Sequence, residues 1–266
     1  MDILFSIGGI QFHIYSVMGL IGVMFGGLWL LFICKKKKFS LADEIYVYTL
    51  MGLFALAGAK LLYLLVEAGN IVRLLSERPQ EWPGILSAYL KGGFVFYGGL
   101  FGGIAGILLS VKLFKLDGKE QLDLFAPTLA LIHGFMRIGC ALVGCCYGKA
   151  CEGPLSVHYS HSAYAPKDVG LIPIQHIECV FVFALFVVLA VLTFKDGCKG
   201  KLIHIYLLAY APARFIFEFM RGDSARGSFL GLSTSQWIGI IIPVTEITLR
   251  IVRKSPRSVD KDGLRS

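Results

Sequence analysis

The sequence predicts an all-α polytopic membrane protein with seven transmembrane helices, the N-terminus outside, the C-terminus in the cytoplasm and a small outward-facing cap. Three observations predict it. Of 266 residues, 56% are hydrophobic and 17% charged, with a mean hydropathy of +0.69; a soluble chain carries nearer about a quarter charged residues. Seven apolar runs, at approximately 14–34, 44–67, 93–114, 121–142, 173–194, 202–221 and 234–253, are each long enough to cross about 30 Å of hydrocarbon, which takes about 20 residues. The basic residues fall in clusters after alternate runs, at Lys35 to Lys38, at Lys112, Lys115 and Lys119, at Lys195, Lys199 and Lys201, and at Arg250, Arg253, Lys254 and Arg257. On a seven-span path all of these lie on one side, which the positive-inside rule makes the cytoplasm. Residues 1–254 are read as a single seven-helix membrane domain with the cap at about 147–171, and 255–266 as a basic cytoplasmic tail. The net charge of +8 belongs to these clusters and forms no phosphate-tracking stripe, so nucleic acid is not an expected partner.

In chain order, the first run has no basic residue before it and no small-residue cleavage site behind it, so it is expected to be retained as a span. Gly22 and Gly26 lie four apart in it. The second run carries Lys60, for which the sequence offers no obvious partner. In the third, Gly98, Gly102 and Gly106 share one face with Gly99 and Gly103 beside them. Small residues at that interval let helices approach closely in lipid, while Gly98 and Gly99, next to Tyr97 near the outer surface, also offer backbone to a lipid headgroup. The fourth run has Asp123 at its inner end, read as structural or interfacial, and His133 one turn before Arg137. The fifth carries Glu178 near its outer end. The sixth places Tyr210, Arg214 and Glu218 at successive turns of one face, followed by Arg221. The segment between the fourth and fifth runs is rich in Pro, Ser, His and Tyr, and its SVHYS stretch could pair as a short hairpin strand.

A guanidinium within an apolar run costs roughly 2.5–3.5 kcal/mol on insertion scales, so Arg137 requires an anionic partner. Three separate runs bring charge to the same outer depth through Arg137, Glu178 and the set Arg214, Glu218 and Arg221, which suggests one polar cavity open to the outer leaflet. Arg214 and Glu218 alternatively neutralise each other as a structural pair. Arginine presents a planar fork of donors suited to phosphate and stabilises a departing phosphate oxyanion. The cavity therefore suits a phosphate-bearing lipid, with Glu178 or Glu218 orienting the arginines or acting on a proton.

Cys140, Cys145, Cys146 and Cys151 cluster within 12 residues, with His158 and His161 following, whereas Cys34, Cys179 and Cys198 read as apolar filler. The spacing lacks the C-x-x-C of a zinc knuckle or a thioredoxin-like motif. A structural disulfide, a reactive thiol and a metal site are all readings of the cluster, and no metal or cofactor is expected.

The residues also carry a family pattern. Tyr15 stands in FHIYSVMGL, YGGLFG occupies 97–102, DLFAP 123–127 and RIGCALVGCCYG 137–148; Pro173, Gln175 and Glu178 lie in IPIQHIE, Tyr210, Arg214, Phe215, Glu218 and Arg221 follow in order, and Gln236 opens the last run. In this the chain resembles the bacterial phosphatidylglycerol–prolipoprotein diacylglyceryl transferases along nearly its whole length. The resemblance implies a seven-helix enzyme of the bacterial plasma membrane whose active site faces the outer leaflet. It implies transfer of the diacylglyceryl group of phosphatidylglycerol to the lipobox cysteine thiol of a prelipoprotein, with release of glycerol 1-phosphate. Its partners would be phosphatidylglycerol, the lipobox peptide and membrane lipids. Arg137, Arg214, Glu218, Tyr97 and His133 are then the candidate catalytic residues, and Tyr15, Gly98, Gly99, Gly148, Glu178, Tyr210 and Arg221 the candidate substrate-binding residues. Departures from the pattern fall at positions that bear on the chemistry: Tyr97 stands where the family has histidine, Cys140 where it has asparagine and Cys145 where it has glutamate. A phenol of pKa about 10 is a poor thiol base at neutral pH, which makes His133 the candidate replacement; its other reading is a satisfied interhelical histidine. The alternatives to this function are a related lipid transferase with another thiol acceptor and a non-enzymatic lipid- or metal-binding membrane protein. A transporter would show internal repeats, and none is visible.

Overall fold

The computed structural model describes residues 3–7, 10–223 and 228–254. The tail expected at 255–266 lies outside them. The described residues form eight helices: α1 (Ile14–Lys37), α2 (Leu41–Glu77), α3 (Trp82–Lys91), α4 (Phe96–Phe114), α5 (Gly118–Val143), α6 (Ile174–Leu192), α7 (Leu202–Phe219) and α8 (Thr234–Lys254). A hairpin of β1 (Ile3–Ile7) and β2 (Ile10–His13) precedes α1, and a two-residue pair, β3 (Ser228–Phe229) and β4 (Leu232–Ser233), precedes α8. Six of these helices, α1, α2, α4, α5, α6 and α7, are long and apolar enough to cross a membrane. On α2 and α6, Leu56, Leu61, Leu65, Val66, Val180 and Val187 are each more than half exposed. Apolar faces of that extent belong in lipid, and the chain is a polytopic helical membrane protein.

The second apolar run was expected to end at 67 and a loop to follow to 92. Instead α2 continues to Glu77 and α3 occupies most of the remainder. Hydropathy marks where lipid contact ends, and a helix runs on past that point wherever its backbone bonds continue.

The chain divides into two compact units, Gly27–Phe125 and the pair of segments Met1–Gly26 and Ala126–Ser266. In the first unit α4 lies directly on α2. A Cβ added at Gly98 would overlap the carbonyl oxygen of Gly58, one at Gly102 that of Phe54, and one at Gly106 would lie 2.7 Å from that of Leu50. The glycine face is thus helix packing along its whole length, Gly98 included, while Gly99 has ordinary contacts with Ala55 and Ala59. Gly102→Ala is expected to destabilise the protein by about 1–3 kcal/mol, the usual cost of overpacking, read as a lower midpoint of thermal unfolding in detergent; an unchanged midpoint would show that the two helices separate freely.

Lys60 has partners that the sequence did not indicate. Its ammonium donates to the carbonyl oxygens of Tyr89 (3.0 Å), Gly92 and Gly93 (3.3 Å), and it lies 5.1 Å and 4.8 Å from the ring centroids of Tyr63 and Phe94. The cation closes the carbonyl end of α3, where the helix dipole favours positive charge. Elsewhere in this unit Asp117 caps α5, accepting from the backbone N–H groups of Lys119 and Glu120 at 2.8 and 3.0 Å.

In the second unit α1 meets α5 through glycine: a Cβ at Gly22 would lie 3.0 Å from Cβ of Phe135, and Gly139 accommodates Tyr15 and Met18. The segment from 144 to 173 is irregular. Val157 and Leu171 exchange backbone hydrogen bonds at 3.0 Å each way, so SVHYS contributes one isolated bridge rather than a hairpin strand. Main-chain bonds also join Lys149 N–H to Met220 O, Gly222 N–H to Tyr147 O and Ile172 N–H to Lys149 O, all at 2.9 Å. They place Arg221 opposite Gly148. Helix α8 opens with a capping box, in which the backbone N–H of Ser233 donates to Oε1 of Gln236 (2.9 Å) and the backbone N–H of Gln236 to Oγ of Ser233 (3.2 Å).

Candidate active site

Within the second unit, α5, α6, α7 and the start of α8 bring their polar groups together. Arg137 stands six residues before the end of α5, Glu178 four residues after the start of α6 and Arg214 five residues before the end of α7. At 1.5 Å per residue these are depths of about 6–9 Å from one end of the bundle. Nη2 of Arg137 lies 2.9 Å from Oε1 of Glu178 and donates to the Tyr210 hydroxyl (3.2 Å), which itself donates to Oε1 of Glu178 at 2.8 Å. The anionic partner that Arg137 requires is therefore Glu178, with the phenol closing a triangle. Only 9% and 2% of the two side chains are exposed, so neither charge is solvated and the pair stands on its own hydrogen bonds.

One turn below, Nε of Arg137 donates to Nε2 of His133 at 3.3 Å, while Nδ1 of His133 faces the Tyr206 hydroxyl at 3.0 Å. A guanidinium only donates, so Nε2 carries the lone pair and Nδ1 the proton. The ring of Tyr210 stands edge-on to His133 and parallel to Tyr206. Tyr206 is fully buried and continues the one-turn spacing of Tyr210, Arg214 and Glu218. That spacing could have revealed it, but its position deeper in an apolar run drew no notice.

Arg214 is 3% exposed. Its Nη2 pairs with Oε2 of Glu218 at 2.5 Å and donates to Oγ of Ser235 at 3.2 Å. The two residues form the pair that their spacing suggested, yet Nη1 of Arg214 is buried and has no hydrogen-bond partner among the described residues. Arg214 stands one turn beyond Tyr210 on α7, and the Tyr210 hydroxyl accepts from Arg137 at 3.2 Å, so the two guanidiniums lie on either side of Tyr210 in one polar centre. Arg221 is held instead by Asp223, Nε to Oδ1 at 2.8 Å and Nη2 to Oδ2 at 2.7 Å, with Glu218 3.8 Å away. Asp223 lies outside the apolar runs, and Ser235, at the very start of the last one, is too nearly neutral in hydropathy to stand out from it.

Beyond α5 the chain turns sharply. Gly144 and Cys146 both have positive φ, +76° and +60°; for a non-glycine residue that conformation costs about 1 kcal/mol or more. The Gln175 amide donates to the Cys145 carbonyl at 3.0 Å and fixes the turn. As a result the sulfurs of Cys140, Cys145 and Cys146 all lie within 4.8 Å of one another, while Cys151 stands exposed. The Cys146 thiol is held well below its ordinary range, chiefly by hydrogen bonds from Cys140 and Cys145 and further by the charges of Arg221 and Arg137.

Tyr15 reaches this unit from α1 against Gly139, and a Cβ at Gly148 would overlap the backbone of Ile172. Tyr97, Gly98 and Gly99 belong to the other unit, on α4, where Tyr97 is buried with its ring edge-on to Phe96 and parallel to Phe101.

Apolar helices enclosing arginines, carboxylates and phenols define an integral membrane protein with a buried polar centre. A family model described as "Prolipoprotein diacylglyceryl transferase" matches residues 2–252. The chain is 35% identical over 239 residues to a phosphatidylglycerol–prolipoprotein diacylglyceryl transferase of Clostridium tetani, covering 90% of this chain and 92% of the relative. It is 33% identical over 253 residues to transferase 2 of that name from Clostridium perfringens, covering 95% of each, and 27% identical over 264 residues to that of Campylobacter jejuni, covering 95% and 93%. The chain belongs to the prolipoprotein diacylglyceryl transferase family.

Proposed function

We propose that this chain transfers the diacylglyceryl group of phosphatidylglycerol to the cysteine thiol of a prelipoprotein lipobox, releasing glycerol 1-phosphate at the outer leaflet. The observation that carries the reading is the buried Nη1 of Arg214, which has no hydrogen-bond partner among the described residues, because such a charged donor at a polar centre calls for an anion. The lipid phosphodiester supplies one. Arg214 binds it and receives the second negative charge as the leaving group departs; Glu218 and Ser235 aim the guanidinium. Arg137, held by Glu178, Tyr210 and His133, adds a second fixed positive charge. His133 acts as a positioning residue, since its acceptor nitrogen is engaged by Arg137. Arg221 lines the outer rim beside Gly148, where the lipobox peptide would enter past Tyr15. The binding roles of Tyr97, Gly98 and Gly99 rest on the family resemblance alone. The test is to incubate the purified chain in phosphatidylglycerol vesicles with a synthetic lipobox peptide. A thioether-linked diacylglyceryl peptide and released glycerol phosphate are expected, and a peptide left unmodified would overturn the reading.

The proposed topology makes α8 the seventh span, puts the N-terminus outside and the C-terminus in the cytoplasm, and turns 147–171 outward as a cap. The basic clusters support it, since Lys35 to Lys38 end α1 and the other lysine clusters join α4 to α5 and α6 to α7. A membrane-impermeant maleimide added to intact cells should label Cys151, and should label Cys198, beside the last lysine cluster, only after permeabilisation. The reverse pattern, located by mass spectrometry, would invert the orientation.

A further inference from the structure

The reaction requires a thiolate, and His133 does not offer a free nitrogen to make one, because its Nε2 already accepts from Arg137. The residues at family asparagine and glutamate positions are cysteines, and the fold folds them onto a third. We propose that Cys140, Cys145 and Cys146 bind a thiophilic divalent ion of the zinc class, whose open fourth position takes the acceptor cysteine as thiolate. This rests on the transferase reading above and names the device that activates its nucleophile.

The geometry admits the ion. At the centre of three sulfurs separated by at most 4.8 Å, an ion lies within about 2.8 Å of each, so 2.3 Å thiolate bonds need an inward movement of about half an ångström per sulfur. The turn that brings the sulfurs together is set by left-handed backbone at Gly144 and Cys146 and pinned through Gln175. Cys140 is 6% exposed while Cys145 and Cys146 are half-buried, so the open side lies along the latter pair. Three protein ligands with a vacant fourth position are the arrangement of reactive rather than structural zinc. Three thiolates on a divalent ion leave one net negative charge, and the bridge between Gly148 and Arg221 brings a guanidinium-bearing residue alongside the chain two residues beyond Cys146.

The step balances without a further reactant. On binding the ion the acceptor thiol loses its proton to water. The sulfur lone pair then forms a bond to the glyceryl carbon bearing the phosphate, and the carbon–oxygen bond breaks with its electron pair passing to the phosphate oxygen. The phosphodiester monoanion becomes a monoester with a second negative charge, which the arginines receive, and the thioether, a poorer ligand than thiolate, leaves the ion.

Cobalt(II) titrated into the reduced, full-length protein in detergent is the probe. The expected result is one ion per chain with thiolate-to-cobalt charge-transfer and tetrahedral ligand-field bands. These are lost in Cys140→Ser and in Cys146→Ser and retained in Cys151→Ser, with unchanged helical circular dichroism confirming that the variants fold. A lipobox peptide should shift the ligand-field bands, and its Cys→Ser counterpart should not. Because a free thiol of pKa about 8.5 is only about 3% thiolate at pH 7, removing the metal should lower transfer about thirtyfold, restored by zinc. Absence of the bands, a disulfide among the three cysteines in protein quenched directly from cells, or full transfer by the metal-free chain would each overturn the proposal. In the last case the transferase reading stands; if cobalt binds yet no form of the protein transfers lipid, it is the transferase reading that fails.

Discussion

Arg214→Ala lowers the rate of diacylglyceryl transfer by about a hundredfold to a thousandfold, the typical effect of removing one preorganised donor from a developing oxyanion. The argument rests on where charge changes during the reaction. The phosphodiester carries one negative charge when bound and two as the carbon–oxygen bond breaks, so a guanidinium with a free donor interacts more strongly with the transition state than with the substrate. The loss should therefore appear mainly in kcat, with a smaller rise in KM for phosphatidylglycerol. Arg214→Lys should recover little: an ammonium cannot keep Glu218 and Ser235 at 2.5 and 3.2 Å and also present a second donor in a fixed plane. Transfer rates measured at saturating peptide decide it, and a loss below tenfold in Arg214→Ala would remove this residue from the chemical step.

The second large effect concerns folding. Glu178→Ala leaves Arg137, only 9% exposed, buried without its carboxylate, and breaking such a pair costs about 3–5 kcal/mol. Tyr210 loses its acceptor in the same substitution, since its hydroxyl donates to the same oxygen at 2.8 Å. Tyr210→Phe should cost only about 1 kcal/mol, because the direct pair survives. Unfolding of the detergent-solubilised protein, followed by circular dichroism, should rank Glu178→Ala well below Tyr210→Phe. Equal stabilities would mean that water reaches Arg137 and solvates it.

The charged members of this centre were legible because an ionisable residue inside an apolar run stands out against its neighbours: Arg137, Glu178, Arg214 and Glu218 all announce themselves in this way. Their partners were legible only where they share a helix. Arg214 and Glu218 lie four apart, whereas the Arg137–Glu178 pair spans two helices and depends on packing that no spacing encodes. Tyr206 and Ser235 are too nearly neutral in hydropathy to mark themselves. The cysteine trio was visible as a cluster, but C-x4-C-C does not reveal that Gly144 and Cys146 adopt left-handed backbone and fold the second pair of thiols back toward Cys140. Lys60 appeared unpaired because its partners are backbone carbonyls at the end of α3, a helix that apolar runs alone do not predict.

Tyr206, Tyr210, Arg214 and Glu218 make α7 a screw with four fixed marks. Its inner half engages α5 through His133 and its outer half engages α8 through Ser235. A single residue inserted between Tyr210 and Arg214 would turn the outer marks by about 100° and advance them by about 1.5 Å, driving Arg214 against Gly239 of α8, where Phe215 now packs, while Tyr206 kept its place. The helix can therefore change length before Tyr206 or after Glu218, but between them its residue count is as fixed as any side chain in the site.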